Sequence, residues 1–116
     1  MVNKWEIYYC RLDPSVRNEQ KGTRPVLVIS SDHVNHNLPV STVIPLSSVN
    51  AEDKLCAAEV ELSAATTGLP KKSAAMLQQI RTVSHKRLAR LCGKIADENT
   101  QSEIEHALRL YFDLDV

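Results

Sequence analysis

The 116-residue sequence lacks the features that mark several common classes of protein. It has three glycines, too few for a glycine-rich phosphate-binding loop or a dinucleotide-binding fingerprint. No apolar run approaches the ~20 residues that span a bilayer, and the first residues do not resemble a secretory signal. The formal net charge is zero, which argues against a surface that is positive all over. We therefore expect a globular cytoplasmic protein in which residues 1–116 form one domain.

Cysteine and histidine offer no convincing metal site. Cys10, Cys56 and Cys92 lie far apart without C-x-x-C spacing, so we expect buried, inert thiols rather than a disulfide framework. His33 and His36 form a pair, but no third ligand lies nearby, which favours a solvated polar turn. A G-x-S-x-G elbow is also missing, so a serine hydrolase is poorly supported. The sequence predicts neither a metal nor another cofactor.

Charge is distributed unevenly along the neutral chain. Residues 71–94 carry seven basic side chains and no acidic one, whereas residues 95–116 carry one basic and six acidic side chains. A phosphate-binding face can therefore coexist with a net charge of zero. The alternative is an ordinary solvated surface of mixed sign.

Apolar patterning predicts a series of short strands. The runs are 5–12, 25–30, 41–47 and 56–62, with one or two further strands within 73–83. Helix propensity alone would instead favour a helix from Ala74 to Gln79. Residues 31–39 indicate a loop, and Pro45 indicates an edge or a bulge in the third strand.

Two helices are expected near the C-terminus. Ser84 is a candidate N-cap and Gly93 a candidate stop for a short helix over residues 84–92. Thr100 to Glu103 fits a capping box. The apolar residues that follow at helical spacing are Ile104, Ala107, Leu108 and Tyr111. Short strands followed by a C-terminal helix predict a small, mainly β barrel with helices at one side.

The junction at Arg24 is the strongest candidate for chemistry. The stretch NEQKGTRPVLVIS, residues 18–30, takes a charged loop directly into a buried strand, with Arg24 at the boundary. A guanidinium presents several donors in one plane, which suits the oxygens of a phosphodiester and the charge that builds on phosphorus during transfer. The alternative is a loop ion pair between Arg24 and Glu19, worth at most ~1 kcal/mol if it is exposed.

Two stretches resemble the MazF/PemK family of toxin endoribonucleases. The first has Ile-Tyr-Tyr at 7–9, Leu-Asp-Pro at 12–14 and Glu-Gln-Lys-Gly-Thr-Arg-Pro-Val-Leu-Val-Ile-Ser at 19–30. The second has Leu-Gln-Gln-Ile-Arg-Thr-Val at 77–83, followed by Lys-Arg-Leu at 86–88. Their order and spacing match the family, and the similarity covers nearly the whole chain.

The resemblance implies a mainly β fold with a C-terminal helix, a small SH3-like β-barrel of the CcdB/Kid/MazF type that forms a homodimer. It implies the toxin of a type II toxin–antitoxin system. Such a toxin cleaves single-stranded RNA at short sequences without metal, and so inhibits translation and growth. The ribose 2′-hydroxyl attacks the phosphodiester, leaving a cyclic phosphate and a 5′-hydroxyl. The implied partners are single-stranded RNA and a cognate antitoxin, with no membrane.

The resemblance also implies roles for particular residues. Arg24 matches the catalytic arginine, Ser47 stands where the family usually has a threonine, and Glu19 matches a loop residue near the site. The positions implied to bind RNA are Gln20, Lys21, Thr23, Gln79 and Arg81, the last two with dimer support as an alternative role. Lys21 replaces a commonly small residue.

Some positions depart from the family pattern, and other functions stay open. Lys-Trp-Glu at 4–6 stands where the family usually has Arg-Gly-Asp. The same fold serves toxins that poison gyrase by binding it, in which case the arginine loop is structural and residues 111–116 matter more. A degenerate member that only binds RNA or its antitoxin is a third possibility. The intact block around Arg24 favours the nuclease.

Overall fold

The computed structural model describes residues 1–12, 22–50 and 52–114. The strands are β1 Glu6–Arg11, β2 Thr23–Val28, β3 Val40–Ser48, β4 Glu59–Leu62, β5 Ser73–Met76, β6 Arg81–Ser84 and β7 Leu88–Lys94. The helices are α1 Asp32–Asn37, α2 Ala64–Thr67 and α3 Glu98–Phe112, with 3₁₀ turns at Leu77–Gln79 and His85–Arg87. The expected strands are confirmed, including two within residues 73–83. Within the described ranges, no helix is long and apolar enough to cross a membrane.

The strands pair antiparallel in the order β4-β5-β3-β2-β1-β7, and β6 pairs with the first half of β3. Strand β3 changes neighbours along its length, since Val43 still pairs with β6 and Leu46 already pairs with β5. Pro45 lies between these two positions, opposite Val26 of β2. Proline has no N–H to donate, so this change of neighbour is where β3 can accommodate it. Pro45 therefore marks the bend of a central strand rather than an edge strand.

Apolar side chains pack on both faces of the sheet formed by β1, β2 and β3. Leu27 belongs to the core that also contacts α3, and Val26 and Val28 belong to a second core on the opposite face. Successive residues of a strand face opposite sides, so a strand covered on both faces is apolar without interruption. This arrangement explains the solid apolar run that follows Pro25.

The prediction of a loop over residues 31–39 is wrong, because helix α1 forms there. Ser31 caps it, accepting a hydrogen bond from the amide of Val34. Asn35 is 3% exposed, and its side chain accepts hydrogen bonds from the hydroxyls of Ser30 and Ser41. These tertiary hydrogen bonds stabilise a helix too short to be stable alone.

The short helix expected over residues 84–92 is also wrong. Ser84 does act as a cap, accepting from the amide of Lys86, but the turn ends at Arg87 and the chain continues as β7. Pairing with β1, for example Tyr9 with Arg90, overrides the helix propensity of this segment. Gly93 lies inside β7 rather than ending a helix. A Cβ there would overlap the main-chain carbonyl oxygen of Thr67.

Helix α3 begins earlier than its expected capping box. The N-cap is Asp97, whose carboxylate accepts from the Thr100 amide at 3.1 Å and from its hydroxyl at 2.6 Å. Ile104 is fully buried in the core, as its spacing predicted, whereas Tyr111 is 42% exposed. The packed face of α3 is therefore shorter than the sequence pattern indicated.

Trp5 occupies the turn before β1 in a left-handed conformation, with φ of 75°. Its amide donates to the carbonyl of Val28 and its own carbonyl accepts from the amide of Ile95. The ring packs against the main core, and the Lys4 ammonium lies 5.0 Å from the ring centroid. A bulky residue thus keeps a backbone geometry normally reserved for glycine, the residue that the family usually has here.

Candidate active site

A main-chain hydrogen bond joins Leu12 and Gly22, the described residues on either side of the segment 13–21. The amide of Leu12 donates to the carbonyl of Gly22 at 2.9 Å, and Gly22 takes a φ of 80° that suits glycine. Arg24 follows two residues later on β2, paired with Cys10 of β1 and exposed. Glu19, Gln20 and Lys21, three of the predicted site residues, lie outside the described residues.

Arg24 and Ser47 lie on the neighbouring strands β2 and β3, both beyond the residue pairs that join these two strands. The pairing of β2 with β3 runs from Val28 with Val43 to Val26 with Pro45. The register ends there, before Arg24 and Ser47, and Ser47 is not among the described residues that line the pocket beside Arg24. Ser47 is half-buried and pairs with Ala74 of β5.

A pocket of about 290 Å³ opens where β2 and β3 separate. Among the described residues, its lining consists of Tyr9, Thr23, Arg24, Pro25, Leu46, Ser48, Leu69, Pro70, Lys71 and Ser73. The lining thus combines apolar side chains, hydroxyls and two cations, and none of these residues is acidic. Such a surface suits a ligand with a flat apolar part and a negative charge.

Several contributors to the pocket were given no site role from the sequence. Tyr9 was assigned to a strand and to the first family-like stretch, Lys71 only to the basic segment, and Ser48 was passed over for its neighbour Ser47. Strand alternation places Ser48 on the same side of β3 as Leu46, two residues earlier, and both line the pocket. Lys71 gave no local signal, since it reaches the pocket from the segment between α2 and β5.

Neither Arg81 nor Gln79, the predicted residues of the second motif, belongs to the pocket lining described above. Arg81 pairs with Val43, and its Nη1 donates to the carbonyl of Leu12 at 3.4 Å. Nη1 of Arg87 donates to the carbonyl of Arg11 at 3.3 Å. Gln79 is half-buried in the 3₁₀ turn that precedes β6. The second motif thus supports the first structurally.

The thiols vary in environment. Cys10 is fully buried beside Arg81, Arg87 and Arg11, and burial raises the pKa of its thiol although these guanidinium groups act in the opposite direction. Burial also raises the pKa of the half-buried Cys92. Both are therefore poor nucleophiles. Cys56 is exposed, so the expectation of three buried cysteines is wrong for that position.

Fold and pocket together define a small, mainly β protein with a cationic site beside a strand junction, and known proteins resemble this chain in sequence and fold. The family model described as PemK-like, MazF-like toxin of type II toxin-antitoxin system matches residues 3–112. Endoribonuclease MazF9 of Mycobacterium tuberculosis is 34% identical over 119 residues, covering 98% of each chain. Endoribonuclease EndoA of Bacillus subtilis is 33% identical over 110 residues, covering 95% of this chain and 93% of the relative.

Solved structures of a MazF toxin and of an endoribonuclease have the same fold as this chain. The toxin MazF-mt6 of Mycobacterium tuberculosis superposes with a TM-score of 0.77 at 25% identity, covering 96% of this chain and 99% of the other. An endoribonuclease from a mycobacterial species, solved with its cognate antitoxin, gives 0.78 at 17% identity and covers 100% and 99%. The second likeness concerns the fold alone.

The chain belongs to the PemK-like, MazF-like toxins of type II toxin–antitoxin systems. The expected fold class is confirmed, and so is the resemblance read from residues 19–30 and 77–83. Endoribonuclease MazF9 and Endoribonuclease EndoA, both more than 30% identical to this chain, are named for RNA cleavage, which favours the RNA-cleaving interpretation over gyrase poisoning.

Proposed function

We propose that this toxin cleaves single-stranded RNA at short sequences without a metal ion, with Arg24 and Ser47 at the centre of the site. The observation that carries the proposal is the position of Arg24, exposed on β2 at a pocket whose described lining has two cations and no acidic residue. The residues 1–116 act as one toxin domain in this proposal.

The proposed reaction needs no cofactor. The 2′-oxygen of one ribose attacks the adjacent phosphorus, the bond from phosphorus to the 5′-oxygen breaks, and the products are a 2′,3′-cyclic phosphate and a 5′-hydroxyl. The proton lost from the 2′-hydroxyl is balanced by the proton gained by the 5′-oxygen. Negative charge builds on the phosphoryl oxygens in the transition state, so a cation held near these oxygens lowers the barrier.

Arg24 is the residue best suited to that charge. A guanidinium stays positive at physiological pH, so it stabilises an anion readily and gives up a proton reluctantly. The hydroxyl of Ser47 donates to the reacting phosphate, as the family's threonine position suggests. Glu19 is the third proposed catalytic residue, and its carboxylate orients Arg24.

The RNA strand follows the basic surface around this centre. Thr23 is exposed beside Arg24 and contributes a hydroxyl to the pocket. Gln20 and Lys21 contact RNA from the loop, and Gln79 is a further contact. Arg81 is proposed to bind RNA only indirectly, because its Nη1 is engaged by the Leu12 carbonyl.

The proposed partner is a cognate antitoxin whose acidic tail occupies the RNA groove. Support comes from the related toxin solved with its antitoxin and from the absence of acids in the pocket lining described here. Such binding should weaken as salt rises. We further propose a cytoplasmic homodimer that contacts no membrane.

Fragment analysis tests the function. Purified toxin is incubated with a long single-stranded RNA, with and without EDTA, and the fragment ends are mapped. The proposal expects discrete cuts at a short sequence, 5′-hydroxyl ends and equal rates in both samples. Intact RNA together with stalled gyrase would support the poison instead, and cuts abolished by EDTA would refute the metal-free mechanism.

A further inference from the structure

The pocket next to Arg24 has chemistry that the cleavage step does not use. Tyr9, Pro25, Leu69 and Pro70 form apolar walls, and Lys71 adds a second cation. We propose that this pocket binds one nucleobase of the RNA strand, next to the phosphodiester held by Arg24, while Lys71 binds a neighbouring phosphate. The inference rests on the proposed function in that RNA is the substrate, and it makes Tyr9 and Lys71 binding residues.

The size and shape of the pocket suit a single base. Its volume of about 290 Å³ lies just below the range of pockets for drug-sized ligands, ~300 to ~1,000 Å³, as expected for one base. Proteins hold unpaired bases by stacking them on aromatic or other flat groups. Tyr9 is the aromatic residue of the lining, and it lies in a row across the sheet with Pro25 on one side and Arg90 on the other.

Arg90 prepares the Tyr9 ring for this role. Its guanidinium carbon lies 4.9 Å from the Tyr9 ring centroid, a cation–π distance. Both residues sit on rigid paired strands, so the ring is positioned before any ligand arrives. A ring fixed in advance loses less entropy on binding.

Hydroxyl groups of the pocket can form hydrogen bonds with the edge of the base. Thr23 and Ser48 are exposed, and Ser73 is buried with its Oγ donating to the Lys71 carbonyl at 3.4 Å. A hydroxyl donates one hydrogen bond and accepts others, so it can match either kind of group on a base. The pocket is therefore a selector of sequence as well as a holding site.

A nucleobase fits this pocket better than an added peptide strand does. A peptide that binds beside a strand usually adds to its edge through main-chain hydrogen bonds. Pro25 has no N–H to offer at this edge, and Pro45 has none on the facing strand. Stacking walls with hydroxyls and cations instead match the alternation of base and phosphate in single-stranded RNA.

Binding measurements separate this inference from the cleavage proposal. The probe is a short labelled single-stranded RNA with 2′-fluoro riboses, which cannot supply the attacking hydroxyl, compared with an abasic strand of the same length. Tyr9→Ala should weaken binding of the base-bearing strand roughly fivefold to a hundredfold, since stacking contributes ~1–3 kcal/mol per base. It should leave the abasic strand unaffected. Tyr9→Phe should retain most of the affinity.

Adjacent lysines give the matched control for the cation. Lys71→Ala should weaken both strands equally and lower the slope of log K against log salt by ~0.7, the value for one phosphate on a single strand. Lys72→Ala should change neither, because Lys72 lies outside the lining described for the pocket and pairs with Glu61 at 3.5 Å. Thermal unfolding confirms that each variant is folded.

Several results would overturn the inference. These are equal binding of the base-bearing strand by wild type and Tyr9→Ala, equal effects of the two lysine variants, or no binding of RNA by the wild type. Variants that lose affinity for an acidic peptide but keep it for RNA would assign the pocket to a protein partner. RNA that binds as expected without any cleavage of natural RNA would leave this inference standing and refute the proposed function.

Discussion

The guanidinium of Arg81 donates through Nη1 to the main-chain carbonyl of Leu12 at 3.4 Å. These residues are 69 positions apart in sequence, and they belong to the two stretches that carry the family resemblance. Leu12 in turn bonds to Gly22, two residues before Arg24. The two motifs therefore form one structural unit that holds Arg24.

Removing this support should weaken activity without removing any group from the pocket lining. We expect Arg81→Ala to lower the rate of RNA cleavage, because the Leu12 carbonyl loses a charged donor and the hydrogen bond of Leu12 to Gly22 loosens. Hydrogen–deuterium exchange at the Leu12 amide should rise in parallel. A variant with reduced cleavage but unchanged exchange at Leu12 would instead indicate direct contact between Arg81 and RNA.

Gly93 should tolerate no side chain. A Cβ at this position would overlap the Thr67 carbonyl, which belongs to the backbone of α2 and cannot rotate away. We expect Gly93→Ala to destabilise the fold by about 2 kcal/mol or more, measured by denaturant unfolding. Gly68→Ala is the control, since its new Cβ would meet only ordinary contacts and the cost is the strain of its φ of 82°. A smaller loss for Gly93 than for Gly68 would contradict this account.

At position 5, glycine should give a more stable protein than alanine, the reverse of their usual order. Both Trp5→Gly and Trp5→Ala lose the packing of the indole on the main core. Alanine also keeps the strain of a φ of 75°, whereas glycine does not. We expect Trp5→Gly to be the more stable variant by about 1 kcal/mol in chemical unfolding. Equal stabilities would mean that the turn relaxes when the indole is removed.

The N-cap of α3 should make stability depend on acid pH. The hydroxyl and amide of Thr100 donate to Asp97 and hold the pKa of its carboxyl below the ordinary value. A carboxyl whose pKa is lower in the folded than in the unfolded protein stabilises the fold fully above its unfolded pKa of ~4. This stabilisation is lost as the pH falls through the folded pKa. The melting temperature should therefore fall on acidification below about pH 4.

Asparagine isolates this effect, because it caps helices about as well as aspartate and does not titrate. Asp97→Asn should show a shallower fall of melting temperature over the same pH range. Some fall should remain, since hydrogen bonds also lower the pKa of Asp32 and of Glu59. Identical profiles for the two proteins would refute the role of Asp97.

Sequence patterns located most strands because a β-branched run such as Val26 to Ile29 has few alternatives to a buried strand. The patterns failed where tertiary contacts determine the secondary structure of a segment. Leu88 to Leu91 has good helix formers, yet pairing with β1 makes it a strand. Helix α1 depends on the hydrogen bonds of Asn35 to residues outside the helix, which no local pattern reveals.

The candidate site could likewise be predicted only where its residues are contiguous in sequence. Arg24 could be predicted because its junction of charged loop and apolar strand is contiguous in sequence. The pocket beside it could not, since Tyr9, Ser48 and Lys71 come from separate segments that only the fold brings together. Ser47 remains a prediction that rests on family position.

Cleavage by arginine variants tests the central claim most directly. Single-turnover rates on one RNA substrate are measured for wild type, Arg24→Ala and Arg24→Lys, with Arg109→Ala on the exposed side of α3 as the control. The account predicts a loss of roughly a hundredfold or more for Arg24→Ala, the effect of removing one transition-state donor, with partial activity in Arg24→Lys and none lost in the control. A folded Arg24→Ala protein that cleaves within a few-fold of the wild-type rate would contradict it.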